Sequence, residues 1–120
     1  MKRLSLIVLV LSFTFAAPVT ALDKDGYYWH QGPVSCGDWV KDRKGDSWAQ
    51  AVNIYWITGY ITAYNNQTPD VYNILGSTDM ESVFLWMDKY CQENPLSNLS
   101  SGMDILTEEL WPNRKRTAGD

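Results

Sequence analysis

The sequence holds one histidine, His30, and two cysteines, Cys36 and Cys91. With a single imidazole and no C-x-x-C pair, the usual donor sets for zinc are missing, and neither a metal nor a cofactor is expected. No H-E-x-x-H, no G-x-S-x-G and no glycine-rich phosphate loop occurs, so the common hydrolase and nucleotide signatures are excluded. A cysteine nucleophile needs a free thiolate and a base, and two cysteines in one chain are better read as a bridge. Glu108 and Glu109 are neighbours, which on a helix point in different directions. The chain is therefore read as a non-enzyme. Hairpin signals are equally scarce. The Asp-Gly at Asp25 leads into aromatics rather than a matching strand. Basic residues are few, 10 Lys and Arg against 14 Asp and Glu, which makes nucleic acid and anionic membranes poor partners.

The long apolar run is confined to the N-terminus. Lys2 and Arg3 precede an apolar stretch from Leu4 to Ala17, and Val19-Thr20-Ala21 is a small-residue cleavage pattern. This is the form of a secretory signal peptide, residues 1–21, and the run is short for a bilayer span. Cleavage before Leu22 leaves residues 22–120, enough for one small domain, with no membrane association. Without Lys2 and Arg3, eight basic side chains face fourteen acidic ones, a net charge of −6. Export to an oxidising compartment turns the even cysteine count into an expected Cys36–Cys91 disulfide.

Four helices are legible. Cys36, Trp39 and Val40 share a face of a short helix within Ser35–Lys44, ended by Gly45. Ser47 and Gln50 form a capping box before a long helix from Trp48 to about Asn66. That helix carries apolar residues on two faces. One holds Trp48, Ala51, Val52, Tyr55, Gly59 and Thr62, the other Ile54, Ile57, Ile61 and Tyr64, so it is expected to be central and most buried. Gly59 with Ala63 one turn on is expected to admit a closely packed neighbour helix. Thr78 and Glu81 form a further capping box, and Met80, Val83, Phe84, Met87, Tyr90 and Cys91 make one stripe. Asn94 caps and Pro95 opens the last helix, whose stripe is Leu96, Leu99, Met103, Leu106 and Leu110, closed by Pro112. The expected fold is all-α: a small bundle of about four helices with one disulfide, residues 35–112. An extended N-terminal arm, residues 22–34, precedes it and a flexible tail, residues 113–120, follows.

Six tryptophans and seven tyrosines are a high count for this length. Trp39, Trp48, Trp56 and Trp86 fall at helix positions where core packing accounts for them. Tyr27, Tyr28 and Trp29 in the arm are expected to strap onto the helices, because large aromatic surface is seldom left in water. The segment from Asn65 to Ser77 is polar, turn-rich and long for a compact domain, and such loops carry function. Tyr64, Asn65, Asp70 and Tyr72 are the candidate partner-binding residues.

One combination of residues resembles a family. Cys36-x-x-Trp39, Trp56-x-x-Gly59-Tyr60, Asn65, Trp86-x-Asp88-x-Tyr90-Cys91-x-x-Asn94-Pro95-Leu96 and Glu109-Leu110 together look like the Rap/Tai-type immunity proteins. These are small exported helical proteins of Gram-negative bacteria. Their studied members belong to type VI secretion and neutralise peptidoglycan amidase effectors in the periplasm. The resemblance spans residues 35–110 and is densest over Asp88–Leu96. It implies a periplasmic protein that binds and inhibits a secreted amidase, with the quoted residues as scaffold; dimerisation is left open. The HdeA-type acid-stress chaperones are the alternative, being also small, exported, helical and singly bridged. This chain is richer in Trp and Tyr and lacks a run of carboxylates that would titrate as a switch.

Overall fold

The computed structural model describes residues 23–29, 34–45 and 47–120. The expected signal peptide, residues 1–21, and His30 lie outside them. Residues 23–29 belong to a short N-terminal unit, in which the Asp23 carboxylate accepts from the amides of Asp25 and Tyr27 at 2.9 and 2.8 Å. Tyr27, Tyr28 and Trp29, expected to be covered, are all exposed. The helical unit runs through residues 31–120. Its elements are α1 (Cys36–Asp42), α2 (Trp48–Gln67), α3 (Met80–Glu93), α4 (Leu99–Leu110) and a closing 3-10 turn, Trp111–Asn113. Among the described residues there is no strand beyond the isolated bridges Ser35–Asn98 and Asn73–Lys115.

Each helix begins where a short polar side chain accepts an otherwise unpaired amide of the first turn. Ser35 accepts from Asp38 N, Ser47 from Gln50 N, Asp79 from Ser82 N and Asn98 from Ser101 N. A cap of this kind contributes about 1 kcal/mol. The bond from the Ser82 amide also holds the Asp79 carboxyl below its ordinary pKa. Two starts differ from expectation. The third cap is Asp79 rather than Thr78, because a carboxylate one residue on competes for the same amides. The last helix starts at Leu99, not at Pro95. Asn94 instead closes α3, its backbone and side-chain amides both donating to Tyr90 O. Pro95 and Leu96 lie in the connector, and Leu96 is fully exposed rather than part of the α4 stripe.

The core gathers Cys36 and Trp39 from α1, Ile57 and Ile61 from α2, Val83, Phe84, Met87 and Cys91 from α3, and Leu99, Met103 and Leu106 from α4. The Cys36–Cys91 disulfide is formed, with its Cα atoms 4.8 Å apart. It joins α1 to α3 and suits an oxidising compartment. Among the described residues no helix is long and apolar enough to cross a membrane. Beside the disulfide, Trp39 is wholly buried and its indole donates to Asp88 at 2.8 Å. Arg43 meets the same carboxylate with Nε and Nη2, both at 3.0 Å, and lies over the Trp39 and Phe84 rings. The hydrogen bond to Asp88 raises the Arg43 pKa above its ordinary value, so the guanidinium stays charged.

α2 departs most from expectation. Ile57 and Ile61 face inward, with Ile54 and Tyr64 half-buried, while Trp48, Val52, Tyr55, Gly59 and Thr62 are exposed. The helix is flanked by neighbours on one side, so its second apolar face stays outside. Trp48, expected in the core, is 82% exposed; Trp56 and Trp86 are half-buried. A Cβ built on Gly59 meets nothing within 4 Å, so this glycine is not a packing contact inside the molecule. The close approach is at Gly102 of α4, where a Cβ would fall 2.7 Å from Met87 Sδ and 2.9 Å from the Tyr90 ring.

Two outcomes are expected from equilibrium denaturation. Cys91→Ser should lower stability by about 2–5 kcal/mol, since the bridge closes a 55-residue separation. The two helical glycines should respond with opposite signs. Gly102→Ala should cost about 1–3 kcal/mol by overpacking Met87 and Tyr90. Gly59→Ala should add about 0.5–1 kcal/mol by removing backbone freedom from an open helix surface.

Candidate functional site: a clamped loop between α2 and α3

The α2–α3 loop covers residues 68–79, starting three residues later than the sequence suggests because α2 runs on to Gln67. Two apolar residues anchor it. Val71 and Ile74 are buried in the core, and Tyr72 between them turns outward, 55% exposed. Tyr64 and Asn65 sit on the last turn of α2 and form the foot of the loop. Tyr64 stacks on Tyr60 at a centroid distance of 6.3 Å. Asn65 Oδ1 accepts from the Ile74 amide at 2.8 Å, tying the loop back to the helix.

The C-terminal segment closes over the other side. Lys115 O accepts from the amides of Tyr72 and Asn73 at 2.8 and 3.1 Å, and the Lys115 amide donates to Asn73 O at 2.9 Å. Arg114 donates from Nε to Asp70 O at 3.0 Å and from Nη2 to Asp70 Oδ2 at 2.6 Å. Its guanidinium lies 3.9 Å from the Trp111 ring centroid, and its side chain is almost wholly buried. Arg116 reaches the same carboxylate at 3.3 Å. Residues 113–120, expected to be a flexible tail, therefore supply a clamp. At its end the Asp120 carboxylate accepts from the amides of Arg116 and Thr117, with Thr117 first among the bonds that lower its pKa.

Two backbone positions need this arrangement. Asp70 holds φ +63, the left-handed region that aspartate and asparagine tolerate better than most side chains. Gly76 holds φ +60, and the carbonyl oxygen of Asn113 occupies the space a side chain would need there. The loop is thus long but over-determined, fixed by two core plugs, an asparagine latch and an arginine fork. Beside the clamp it offers outward Pro69, Asp70 and Tyr72, with the exposed Arg116 next to them. Arg114 and Arg116 are paired with Asp70, and the Asp120 carboxylate lies on the same segment, so the patch carries both signs.

Of the four candidate partner-binding residues, Asp70 and Tyr72 face solvent, while Tyr64 and Asn65 work as the loop's foundation. Sequence reasoning missed Arg114, Lys115, Arg116 and Trp111. The available signal was Val71-x-x-Ile74, two apolar residues in a polar stretch, which marks a loop held down rather than free. Four of the residues quoted for the resemblance gather elsewhere. Trp86, Tyr90 and Asn94 line a shallow groove of about 360 Å³ with Lys89, Glu93, Ile105 and Glu109. There Trp86 stacks on Tyr90 at 5.4 Å and its indole donates to Glu109 at 2.9 Å. Tyr90 OH and Ser97 Oγ are 2.7 Å apart, and Tyr60 OH donates to Asp104 at 2.6 Å.

Comparison of the chain with models of known families, with characterised proteins and with solved structures gives no match.

The clamp makes Asp70 the position to probe. Asp70→Ala removes the acceptor and leaves a non-glycine residue without local hydrogen bonding at positive φ, so stability should fall by about 1–2 kcal/mol. Asp70→Asn keeps the tolerance for that φ and should cost about half as much. Hydrogen exchange at the Tyr72, Asn73 and Ile74 amides should quicken in the alanine variant ahead of the rest of the fold. Unchanged exchange there would mean that the clamp does not hold the loop.

Proposed function

We propose that the chain is an exported, periplasmic immunity-type protein that binds a secreted peptidoglycan amidase effector and blocks its active-site groove, with no catalysis of its own. The observation that carries this reading is the clamped loop. An inhibitor that fills a groove loses least free energy when its contact segment is ordered before binding. Here Tyr72 projects between two buried anchors, beside Pro69 and Asp70, on a segment fixed at both edges. Tyrosine offers a large contact area with few rotatable bonds, which is why it recurs at binding hot spots. The disulfide and the Trp39–Asp88–Arg43 cluster keep the helices beneath it in place outside a reducing cytoplasm. The pattern of residues from Cys36 to Leu110 that resembles the Rap/Tai-type proteins supports the same reading.

Charge refines what the partner should look like. The chain as a whole is acidic and would steer toward a basic protein at low salt. The loop patch itself sets Arg114 and Arg116 against Asp70, with Asp120 on the same segment, so it adds no strong preference for either sign.

The test mixes the exported protein with secreted peptidoglycan amidases and follows cleavage of purified cell-wall sacculi. Stoichiometric inhibition of an amidase is expected. Tyr72→Ala should weaken it by about 2 kcal/mol, roughly thirtyfold, with an unchanged melting temperature. Leu99→Ala, a core control, should lose about 2–5 kcal/mol of stability yet still inhibit while folded. Full inhibition by Tyr72→Ala would move the contact surface off the loop. Failure to inhibit any amidase, with suppression of aggregation of unrelated proteins at low pH, would replace this reading with an acid-stress chaperone.

A further inference from the structure

The groove beside α3 and α4 plays no part in the clamped loop, and its aromatic wall is held in place from several sides. Trp86 reaches Glu109 and Tyr90 lies against Gly102, so the two helices run antiparallel. The missing side chain at Gly102 makes room for Tyr90, and Trp86 stacks on that ring with the planes 7° apart. Both rings are half-buried, and their polar handles are already engaged. The indole N–H donates to Glu109 Oε2, and the phenol oxygen lies 2.7 Å from Ser97 Oγ. What the pair has left to offer a ligand is carbon surface, ordered before anything binds.

The rim around that surface is polar but carries both signs. Lys89 Nζ lies 4.0 Å from Glu93 Oε1. A cation entering the groove meets Lys89, and an anion meets Glu93 and Glu109, so charge gives neither a clear advantage. Hydrogen-bonding capacity remains. Asn94 Oδ1 and Glu109 Oε1 accept no hydrogen bond among the described residues, and Ile105, 42% exposed, adds an aliphatic wall. We propose that this groove binds a neutral saccharide, a pair of linked pyranose rings. The carbon-bound hydrogens on one face of a sugar ring pack against the electron-rich face of an aromatic ring. Its hydroxyl groups need donors and acceptors around that contact, which Lys89, Glu93, Asn94 and Glu109 supply.

Size points the same way. From Trp86 to Asn94 the wall runs about 12 Å along the helix axis, at 1.5 Å per residue. The volume of about 360 Å³ lies at the small end of ligand sites, which span roughly 300–1,000 Å³. A groove this shallow covers only one side of its ligand, so binding is weak, with a dissociation constant of about 1 mM. A free oligosaccharide and the glycan strand of a cell wall offer the same chemistry. The site uses neither Tyr72 nor the clamp, and it does not rest on the amidase reading.

The test is an NMR titration of the exported protein with diacetylchitobiose and with cellobiose, up to roughly 20 mM. The Trp86 indole N–H and the amides of Tyr90 and Ile105 should shift, while those of Ile61 and Val71 stay still. The affinity should be the same at low and high salt, as for an uncharged ligand. Trp86→Ala should abolish binding, but it also removes packing, so two exposed positions carry the test. Glu109→Ala should weaken binding about fivefold, the worth of one hydrogen bond, and Ile105→Ala should weaken it as well, both with an unchanged melting temperature. Glu109→Ala should leave inhibition of an amidase intact, so either reading can fail alone. Retention of the protein on purified sacculi, lost in Glu109→Ala, would support the proposal with cell-wall glycan as the ligand. Disaccharide binding without retention would support it with a free oligosaccharide. Neither shifts nor retention would overturn it. So would a tighter response to tetramethylammonium, the mark of a cation site, or binding indifferent to both Glu109→Ala and Ile105→Ala.

Discussion

The Cys36–Cys91 bridge is the constraint on which the rest of the helical unit depends. α1 is 7 residues long, about two turns, and a helix of that length is not stable alone in water. The disulfide fixes its first residue to the last turn of α3. The amide of Cys36 donates to Ser97 O at 2.9 Å, and the Leu99 amide donates to Val34 O at 3.0 Å. The start of α1, the end of α3 and the start of α4 therefore meet at one point. Three residues into α1, Trp39 fills the space beneath this junction, and its indole nitrogen must find an acceptor there because water is excluded. Asp88, one turn before Cys91 on α3, supplies it. A carboxylate so placed in turn needs a cation, and Arg43, one turn after Trp39, supplies that. The chain of necessity runs from a sulfur to an indole, to a carboxylate, to a guanidinium. Replacing Asp88 takes the acceptor from both the Trp39 indole and the Arg43 guanidinium.

This junction holds one end of the bundle, and the loop clamp holds the other. At the clamp the same logic operates without a covalent bond. The α2–α3 loop plugs Val71 and Ile74 into the core and must then satisfy the amides carried inward with them. Asn65 takes the Ile74 amide, and the Lys115 carbonyl takes those of Tyr72 and Asn73. Arg114 can lie nearly buried because Asp70 neutralises it and Trp111 covers its face. No buried side-chain nitrogen or oxygen among the described residues lacks a partner. The exposed Tyr72 is consequently mounted on a satisfied base, so the loop is ordered although it is long.

The α-helical class, the four helices and the disulfide are legible in the sequence because the signals for them are local. Ser47 announces its helix by capping chemistry, and the stripes of α3 and of Leu99–Leu110 have a clean period. Pro95 is ambiguous because proline serves equally well inside a first turn and in a connector; Asn98, which caps Leu99, decides between them. Gly59 is ambiguous for a related reason. Small residues one turn apart permit close packing but do not say whether the neighbour belongs to the same molecule. Gly102 gives no warning, since its need for closeness comes from Met87 and Tyr90 on another helix. Both faces of α2 are apolar, as their spacing indicates, but burying both requires neighbours on both sides, and a four-helix unit this small has too few. Arg114, Lys115 and Arg116 have the composition of a tail, and polar composition looks the same whether the partner is water or a loop 44 residues earlier.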